Sequence, residues 1–294
     1  MKALTLVLTR RCPARCGFCP QEFKARDMSR QTLRAALRGL GPCLGRGGRI
    51  KLFGGEPLLK PGLVRAAGRG AAALGLEASF ELSTQGKLMD EAMCRFLAGH
   101  PEVEVFFGRP SPWVRRLPGA ALNFILPPGQ PAEEVLARLR QARGMGFRRF
   151  NFLPVYFKAW TPAQLAHLRR AFAGLARAAR GGIEVLNLRR AGRVPLYNDG
   201  WCVDTDGKVY ASNLVLVRDG ILRAGRLALG DVRRPRHLKP FPPARELDGL
   251  LESCFSPEVL EGTRRADAEL TRFVLGLQRS GAGASRPFFS GPLL

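Results

Sequence analysis

The chain has 294 residues, 46% of them hydrophobic and 24% charged, so it is long enough to bury a large core and has a globular composition. No apolar run approaches the roughly 20 residues of a membrane-spanning helix, and the amino-terminal stretch has no small-residue cleavage site for secretion. Seven cysteines in a chain with no export signal indicate reduced thiols or metal ligands rather than disulfides. We therefore expect a folded cytoplasmic protein with no membrane partner.

The net charge is +23, from 47 basic and 24 acidic residues, which raises the question of a polyanionic partner such as RNA. Of the basic residues 39 are arginine and only 8 are lysine, in a chain that is also rich in alanine, glycine and proline. GC-biased coding produces this combination without selection for binding. Because the charge is spread along the whole chain, we expect it to reflect composition more than nucleic-acid binding.

From its beginning to about residue 180 the chain alternates short aliphatic or β-branched runs with stretches of helical spacing. Strands are predicted near 3–9, 49–53, 77–82, 102–107, 120–126 and 149–155. Helices are predicted near 29–40, 58–74, 89–99, 131–144 and 161–180, with an irregular link around 109–118. Six strand–helix units in series predict an α/β fold with a parallel sheet, which is either open and doubly wound or curved into a partial barrel.

The sequence changes character after residue 182. Short alternating runs flank Asp206-Gly207 between residues 203 and 210, which predicts a β-hairpin with a tight turn. A last helix is predicted from Ser256 to about Arg279. No long linker separates these elements from the preceding units, so we expect a core over 1–182 and a small α+β appendage over 183–294 that packs on it.

Three of the cysteines, Cys12, Cys16 and Cys19, lie within eight residues, in the loop after the first predicted strand. Zinc prefers four protein ligands, and neither a second CxxC nor a histidine pair lies nearby, so the array favours an iron–sulfur cluster. On a four-iron cluster, three thiolates leave one iron open to a substrate or cofactor. Cys43 and Cys94 stand apart from this array, and we expect them to behave as small hydrophobes.

The CxxxCxxC array, with Phe18 before its third cysteine, resembles the signature of radical S-adenosylmethionine (radical SAM) enzymes. The turn 54–57, Gly-Gly-Glu-Pro, resembles the GGEP motif of the family, and the segments 82–86 and 150–154 are similar to its later strand ends. These motifs follow the family's order and extend from residue 3 to about 180. The resemblance implies a partial (β/α)6 TIM-like barrel, a [4Fe-4S] cluster and bound S-adenosylmethionine.

The same resemblance implies the chemistry. A reductant such as flavodoxin or ferredoxin delivers an electron to the cluster, which cleaves S-adenosylmethionine to methionine and a 5'-deoxyadenosyl radical that abstracts hydrogen from the substrate. Gly54 and Gly55 would let the backbone approach the cofactor closely, and Glu56 would take the methionine ammonium. Phe106 to Pro110 replace the family's usual turn after the fourth strand, so we name Ser83 and Asn123 as the candidates for the ribose. The residues that act on the substrate are unassigned.

The segments 201–210 and 229–232 resemble, more faintly, the SPASM or twitch extension of the same superfamily, whose cysteines hold an auxiliary cluster. This region contains only Cys202 and Cys254, which are too few thiols for a second four-iron cluster. The hairpin favours a peptide or protein side chain as substrate over a small molecule. Two alternatives are a basic RNA-binding or RNA-modifying protein with a structural cluster, and a family member that binds the cofactor without turnover.

Overall fold

The computed structural model describes residues 3–45, 47–190, 200–217, 225 and 227–282. Within these ranges the chain forms ten strands and seven α-helices. The strands are β1 (Ala3–Thr9), β2 (Arg49–Gly54), β3 (Ser79–Thr84), β4 (Val103–Phe107), β5 (Ala121–Leu126), β6 (Arg149–Pro154), β7 (Glu184–Val185), β8 (Gly200–Val203), β9 (Lys208–Tyr210) and β10 (Ala228–Asp231). The helices are α1 (Arg30–Leu40), α2 (Pro61–Ala73), α3 (Glu91–Ala98), α4 (Ala132–Met145), α5 (Pro162–Arg180), α6 (Ala244–Cys254) and α7 (Pro257–Ser280).

The strand order shows which of the two predicted architectures the chain adopts. Across the sheet it is β10-β9-β8-β1-β2-β3-β4-β5-β6-β7, and every pair from β1 to β7 is parallel. Because this order never reverses, right-handed crossovers place α1 to α5 on one face of the sheet. The sheet therefore has the arrangement of a partial (β/α)6 TIM-like barrel, and the doubly wound alternative is excluded.

Strands β1 to β6 begin and end within two residues of their predicted positions, and α1 to α5 within three. The largest deviation is at the start of α2, where Pro57–Leu59 form a separate 3₁₀ turn whose N-cap is Glu56. At α5, Thr161 is the N-cap and forms a capping box with Gln164. The link after β4 contains only a short 3₁₀ helix, Pro112–Arg116.

The convex face of the barrel is packed with aromatic side chains. Phe124 of β5 lies edge-on to Phe152 of β6, with ring centroids 5.6 Å apart, and Phe152 in turn contacts Phe273 of α7 at 5.8 Å. Phe172 of α5 stacks on Phe273 at 4.8 Å. Because side chains alternate along a strand, the neighbours of these residues, such as Asn151, lie on the opposite, concave face.

A network of charges lies where the parallel strands begin. Arg149, the first residue of β6, donates to Glu184 at 2.8 Å, to Glu104 at 2.6 Å and to the carbonyl of Gly119. The exposed Arg189 donates to Glu104 at 3.0 Å and to Glu184 at 2.8 Å. Each carboxylate is thus shared by two guanidinium groups, so the half-buried charges of Arg149, Glu104 and Glu184 are paired at the end of the barrel opposite the cysteine loop.

The carboxyl-terminal region extends the barrel sheet. The predicted hairpin is confirmed as β8 and β9, which pair antiparallel, and β8 lies parallel to β1 in the same sheet. The predicted last helix is confirmed as α7, which begins after its N-cap Ser256 and packs on α5 and β6. None of the helices in the described part of the chain carries an apolar stretch of the length that a membrane span requires.

Three elements of this region are absent from the sequence-based prediction: β7, β10 and α6. The two strands have two and four residues, too short for an alternating pattern to be recognised, and β10 is held by its pairing with β9. Residues 283–294 of the proposed appendage lie outside the described residues. The domain boundary at residue 182 stays a proposal, because one sheet spans both sides of it.

Asp267 of α7 should make stability depend on pH. Burial raises the pKa of this carboxyl to about 6, while a 3.0 Å hydrogen bond from the Tyr156 hydroxyl partly opposes the rise. A carboxyl with a raised pKa stabilises the fold when protonated, so its contribution is complete below pH 4 and is lost as the pH rises through 6. Asp267→Asn keeps an acceptor for Tyr156 without a charge. Urea unfolding should show the variant about 1–3 kcal/mol more stable than the parent at pH 8 and nearly equal at pH 4.

The exposed Glu261 of the same helix provides the matched control, since it pairs with Arg265 at the surface. Glu261→Gln should change stability by about 0.5 kcal/mol or less at either pH. An equal gain in both variants at pH 8 would attribute the effect to the net charge of the helix rather than to burial of Asp267.

Candidate active site at the carboxyl ends of the strands

The loop that carries the three cysteines is closed at its base by backbone hydrogen bonds. The chain leaves β1 and returns antiparallel to it, so that Arg10 donates to the carbonyl of Arg26 at 2.8 Å and Lys24 donates to that of Arg10 at 3.1 Å. Met28 donates to the carbonyl of Leu8 at 2.9 Å. The cysteines therefore lie in a loop with both arms fixed to the edge of the sheet where the parallel strands end.

Within the loop, Cys16 is buried and Cys12 and Cys19 are half-buried. A tight turn joins two of them, with the backbone of Cys19 donating to the carbonyl of Cys16 at 3.0 Å. Arg109, which follows β4, donates to the Cys16 sulfur at 3.6 Å. Hydrogen bonds to cysteine sulfurs are one of the means by which proteins set the reduction potential of a cluster. No local sequence pattern could indicate this contact, because 93 residues separate its partners.

Among the described residues, no three histidine, cysteine, aspartate or glutamate side chains are arranged to hold one metal ion. A four-iron cluster imposes a different requirement, because each thiolate binds its own iron and the sulfurs need not converge on one point. Three thiols in one tethered loop, one with a guanidinium donor, are a donor set that suits such a cluster. The residues present therefore fit it.

The two glycines of the GGEP turn lie against the cysteine loop. Gly54 has a φ of 140°, and a Cβ there would collide with the carbonyl oxygen of Thr9. At Gly55 a Cβ would collide with the carbonyl of Arg11, next to Cys12. The backbone of Gly55 donates to the Thr9 carbonyl at 2.8 Å. The backbone of Thr9 and Arg11 thus occupies the space where side chains at Gly54 and Gly55 would lie. This close packing joins the turn to the cysteine loop.

Glu56 is 1% exposed and is hydrogen-bonded to three donors of the chain. Its Oε1 accepts from the Leu58 backbone at 3.0 Å and from the Thr84 hydroxyl at 2.7 Å. Its Oε2 accepts from the Gln85 backbone at 2.7 Å. The carboxylate therefore connects the GGEP turn to the end of β3. A role for Glu56 toward the methionine ammonium stays a prediction, and it would have to use the remaining lone pairs.

The two candidates for the ribose lie on β3 and β5, which β4 separates in the sheet. Ser83 is half-buried near the end of β3, in register with Phe106. Asn123 is half-buried in β5, and its Oδ1 accepts a 2.8 Å hydrogen bond from Asn151 of β6. The Asn151 partner, which the sequence analysis did not single out, fixes the orientation of the Asn123 amide. Both assignments stay proposals.

The carboxyl-terminal region supports the cysteine loop directly. Asp204, just after β8, accepts two hydrogen bonds from Arg10 at 2.9 and 2.7 Å, and both side chains are buried. Burial alone would raise the pKa of Asp204, but the hydrogen bonds and charge of Arg10 lower it below the ordinary range. Farther along the loop, the backbone of Glu22 donates to the carbonyl of Leu216 at 2.7 Å. The predicted appendage is thus part of the frame that holds the loop.

The two cysteines considered for an auxiliary cluster lie in different surroundings. Cys202 is fully buried among Val7, Val215 and Leu216, and burial raises the pKa of its thiol. Cys254 is half-buried at the end of α6 and packs against the main core. The surroundings of Cys202 disfavour the thiolate that iron requires.

We expect reconstituted protein to hold about four irons and four sulfides per chain, the content of one four-iron cluster. The double variant Cys202→Ala, Cys254→Ala should keep this content. Iron and sulfide analysis of the parent and the double variant provides the measurement. An iron content near eight that halves in the double variant would assign the two thiols to a second cluster.

A match to a family model identifies the family of this chain. The model described as the Radical SAM superfamily matches residues 6–172, which is more than half of the chain. This protein belongs to the radical SAM superfamily. Radical SAM enzymes use an iron–sulfur cluster and S-adenosylmethionine, so the chain is an enzyme of this class. No curated protein matches the sequence significantly.

Solved structures share the fold of this radical SAM chain. Native anSMEcpe with bound AdoMet and Cp18Cys peptide is 12% identical, with a TM-score of 0.67 over 95% of this chain and 98% of its own. Native anSMEcpe with bound AdoMet and Kp18Cys peptide is 14% identical, with a TM-score of 0.60 over 90% of this chain and 83% of its own. At these identities the likeness concerns the fold, and it extends through the carboxyl-terminal region.

Proposed function

We propose that this radical SAM enzyme binds a [4Fe-4S] cluster through Cys12, Cys16 and Cys19, cleaves S-adenosylmethionine reductively and abstracts hydrogen from a peptide or protein side chain. One observation carries the proposal: the loop with the three thiols and the GGEP turn are joined by backbone hydrogen bonds at the carboxyl edge of the barrel. The Gly55 amide bonds to Thr9 and the Glu56 amide to Arg11. Active sites of such barrels lie at this edge.

When bound, the reduced cluster supplies the electron that cleaves S-adenosylmethionine, and the resulting radical removes the hydrogen atom. The chain supplies the geometry. Cys12, Cys16 and Cys19 of the tethered loop would hold the cluster, and the turn at Glu56 would offer its buried carboxylate to the methionine ammonium. In this proposal Ser83 and Asn123 orient the ribose.

The substrate class rests on two observations. The fold of nearly the whole chain is shared with anSMEcpe, which has been solved with a peptide bound. In addition, the hairpin adjoins the cysteine loop through the Arg10–Asp204 pair, where it would contact a substrate larger than the cofactor. A small-molecule substrate is the alternative. RNA is not proposed, because the positive charge is spread along the whole chain.

We further propose a flavodoxin or ferredoxin as electron donor and the cytoplasm as the compartment. All seven cysteines lie among the described residues, and none of them forms a disulfide. Free thiols of this number suit a reducing environment. A low-potential electron donor is required because the cluster must be reduced before the cofactor is cleaved.

Anaerobic reconstitution with iron and sulfide, followed by an assay for 5'-deoxyadenosine, tests the proposal before a substrate is known. The expected result is product formation that requires both dithionite and S-adenosylmethionine. Iron incorporation without 5'-deoxyadenosine would indicate a structural cluster or a member without turnover. Failure to incorporate iron would overturn the cluster assignment itself.

A further inference from the structure

A cleft of about 320 Å³ lies between the arms of the cysteine loop and the hairpin turn. Four basic side chains line it: Arg10, Lys24 and Arg26 from the loop arms and Lys208 from β9. None of the three loop residues is one of the cysteines proposed to bind the cluster. The motifs identified in the sequence assign no role to any of the four basic residues. The cleft therefore needs an explanation of its own.

The acidic residues of the cleft do not balance these charges. Asp204 and Asp206 are the carboxylates that line it. Asp204 is engaged by both Nε and Nη2 of Arg10, and Asp206 accepts a 3.0 Å hydrogen bond from the backbone of Lys208. Beside the cleft, Glu22 pairs with Lys24 at 3.0 Å, so four positive and three negative charges leave an excess of one positive charge. Such a concentration of positive charge at a concave surface attracts anions.

Arg10 supplies the second, independent observation. Arg10 is only 3% exposed, and its Nη2 also donates to the carbonyl of Val215 at 3.3 Å. Its remaining terminal nitrogen, Nη1, is buried and finds no hydrogen-bond acceptor among the described residues. Buried polar groups in folded proteins nearly always have a partner, so an unpaired donor on a residue that lines the cleft leaves a place for one more acceptor beside Arg10.

The remaining side chain of the cleft is suited to donate. Burial, together with the nearby Asp206 and Asp204, raises the pKa of Tyr210 to about 12. Its hydroxyl therefore keeps its proton at neutral pH. Guanidinium, ammonium and hydroxyl groups around one small cleft form a set that suits a tetrahedral oxyanion, since phosphate accepts several charge-assisted hydrogen bonds at once.

We propose that this cleft is a phosphate-binding site, in which Arg10 and Arg26 hold an inorganic phosphate or the phosphate group of an ester against the hairpin. The bound anion would neutralise the positive charges that now face one another across the cleft. It would also connect both arms of the cysteine loop to β9. The site depends on neither the cluster nor S-adenosylmethionine, so it can be tested independently of the proposed activity.

Isothermal titration of inorganic phosphate into the full chain at low salt tests this site. The parent should bind one phosphate per chain. Arg26→Gln and Lys208→Gln should each weaken binding about tenfold or more, as expected when one charged donor is lost. Both residues are exposed, so these substitutions leave the core intact. Arg10 is left unchanged because it also anchors Asp204.

Arg140→Gln is the matched control. Arg140 is exposed on α4 and lines a second arginine-rich cleft of about 330 Å³, with Arg143 and Arg148, that contains no buried arginine. The same loss of charge there should change phosphate affinity less than about twofold, because distant surface charges are screened. Equal weakening by Arg26→Gln and Arg140→Gln, or the absence of saturable binding by the parent, would overturn the proposal.

Two further arms identify the source of the phosphate. Glycerol phosphate that binds more tightly than inorganic phosphate would assign the site to an ester, and weaker binding would assign it to the free ion. Saturating S-adenosylmethionine should leave phosphate binding unchanged. Competition between the two would place the cleft within the cofactor site and overturn its assignment as a separate one.

Discussion

Replacing Cys12, Cys16 or Cys19 by alanine is expected to abolish both the cluster and S-adenosylmethionine cleavage. The loop offers three thiols for three irons, and the described residues hold no spare cysteine in it that could take over. Iron content and 5'-deoxyadenosine formation should therefore fall together, to the background of protein that was not reconstituted. Both quantities are measured on the same anaerobic samples.

Cys43→Ala and Cys94→Ala are the controls for this experiment. Cys43 is exposed after α1, and Cys94 is buried in α3, where burial raises the pKa of its thiol. Both variants should keep the iron content of the parent. If Cys43→Ala lost as much iron as Cys12→Ala, the assignment of the three ligands would be wrong.

Glu56→Gln is expected to weaken S-adenosylmethionine binding about ten- to a hundredfold while the iron content is unchanged. Losing one hydrogen bond to a charged group costs about 1.5–3 kcal/mol, which corresponds to this range. The structure adds a second effect, because the new amide NH2 must face either the Gln85 amide or the donors of Leu58 and Thr84. The variant should therefore also unfold at lower urea concentration.

Thr84→Val separates these two effects. It removes the hydroxyl that donates to Glu56 but leaves the carboxylate charge, so it disturbs the turn without removing the group predicted to meet the ammonium. Calorimetric titration should show a much smaller loss of affinity in Thr84→Val than in Glu56→Gln. Equal losses would make Glu56 a positioning residue for the turn, and unchanged affinity in Glu56→Gln would contradict the GGEP assignment.

Most of the barrel could be predicted from the sequence because its signals are local. The alternation in β2, or the sequence around Thr161 that caps α5, lies within a few residues, and each element formed where its pattern indicated. Local patterns could not show whether the sheet is open or curved into a barrel. That choice follows from the strand order, which depends on pairing between segments far apart in the chain. The family resemblance supplied what periodicity left open.

The site was predictable as a set of motifs but not as a set of contacts. Their spacing alone identifies Cys12 and Cys16 as cluster ligands, and the Gly-Gly-Glu-Pro turn can be recognised from the sequence by its resemblance to the family motif. That Glu56 is bonded to Thr84, or that Arg109 reaches a sulfur, follows from strands brought together by the fold. The amphipathic signal of α6 was similarly lost, because it lies in a region rich in proline and charge.

The pairing of Arg10 with Asp204 has a consequence for biosynthesis. The two residues are 194 positions apart, so at 5–20 residues per second the ribosome makes the second about 10–40 s after the first. Towards the end of that interval the nascent chain has the three cysteines of the loop and most of the barrel, but the loop lacks its buried anchor. Iron delivered to a chain still being translated would meet a loop held by its own backbone hydrogen bonds but without the contacts of Asp204 and Leu216. We therefore expect the cluster to be loaded most stably into the finished polypeptide.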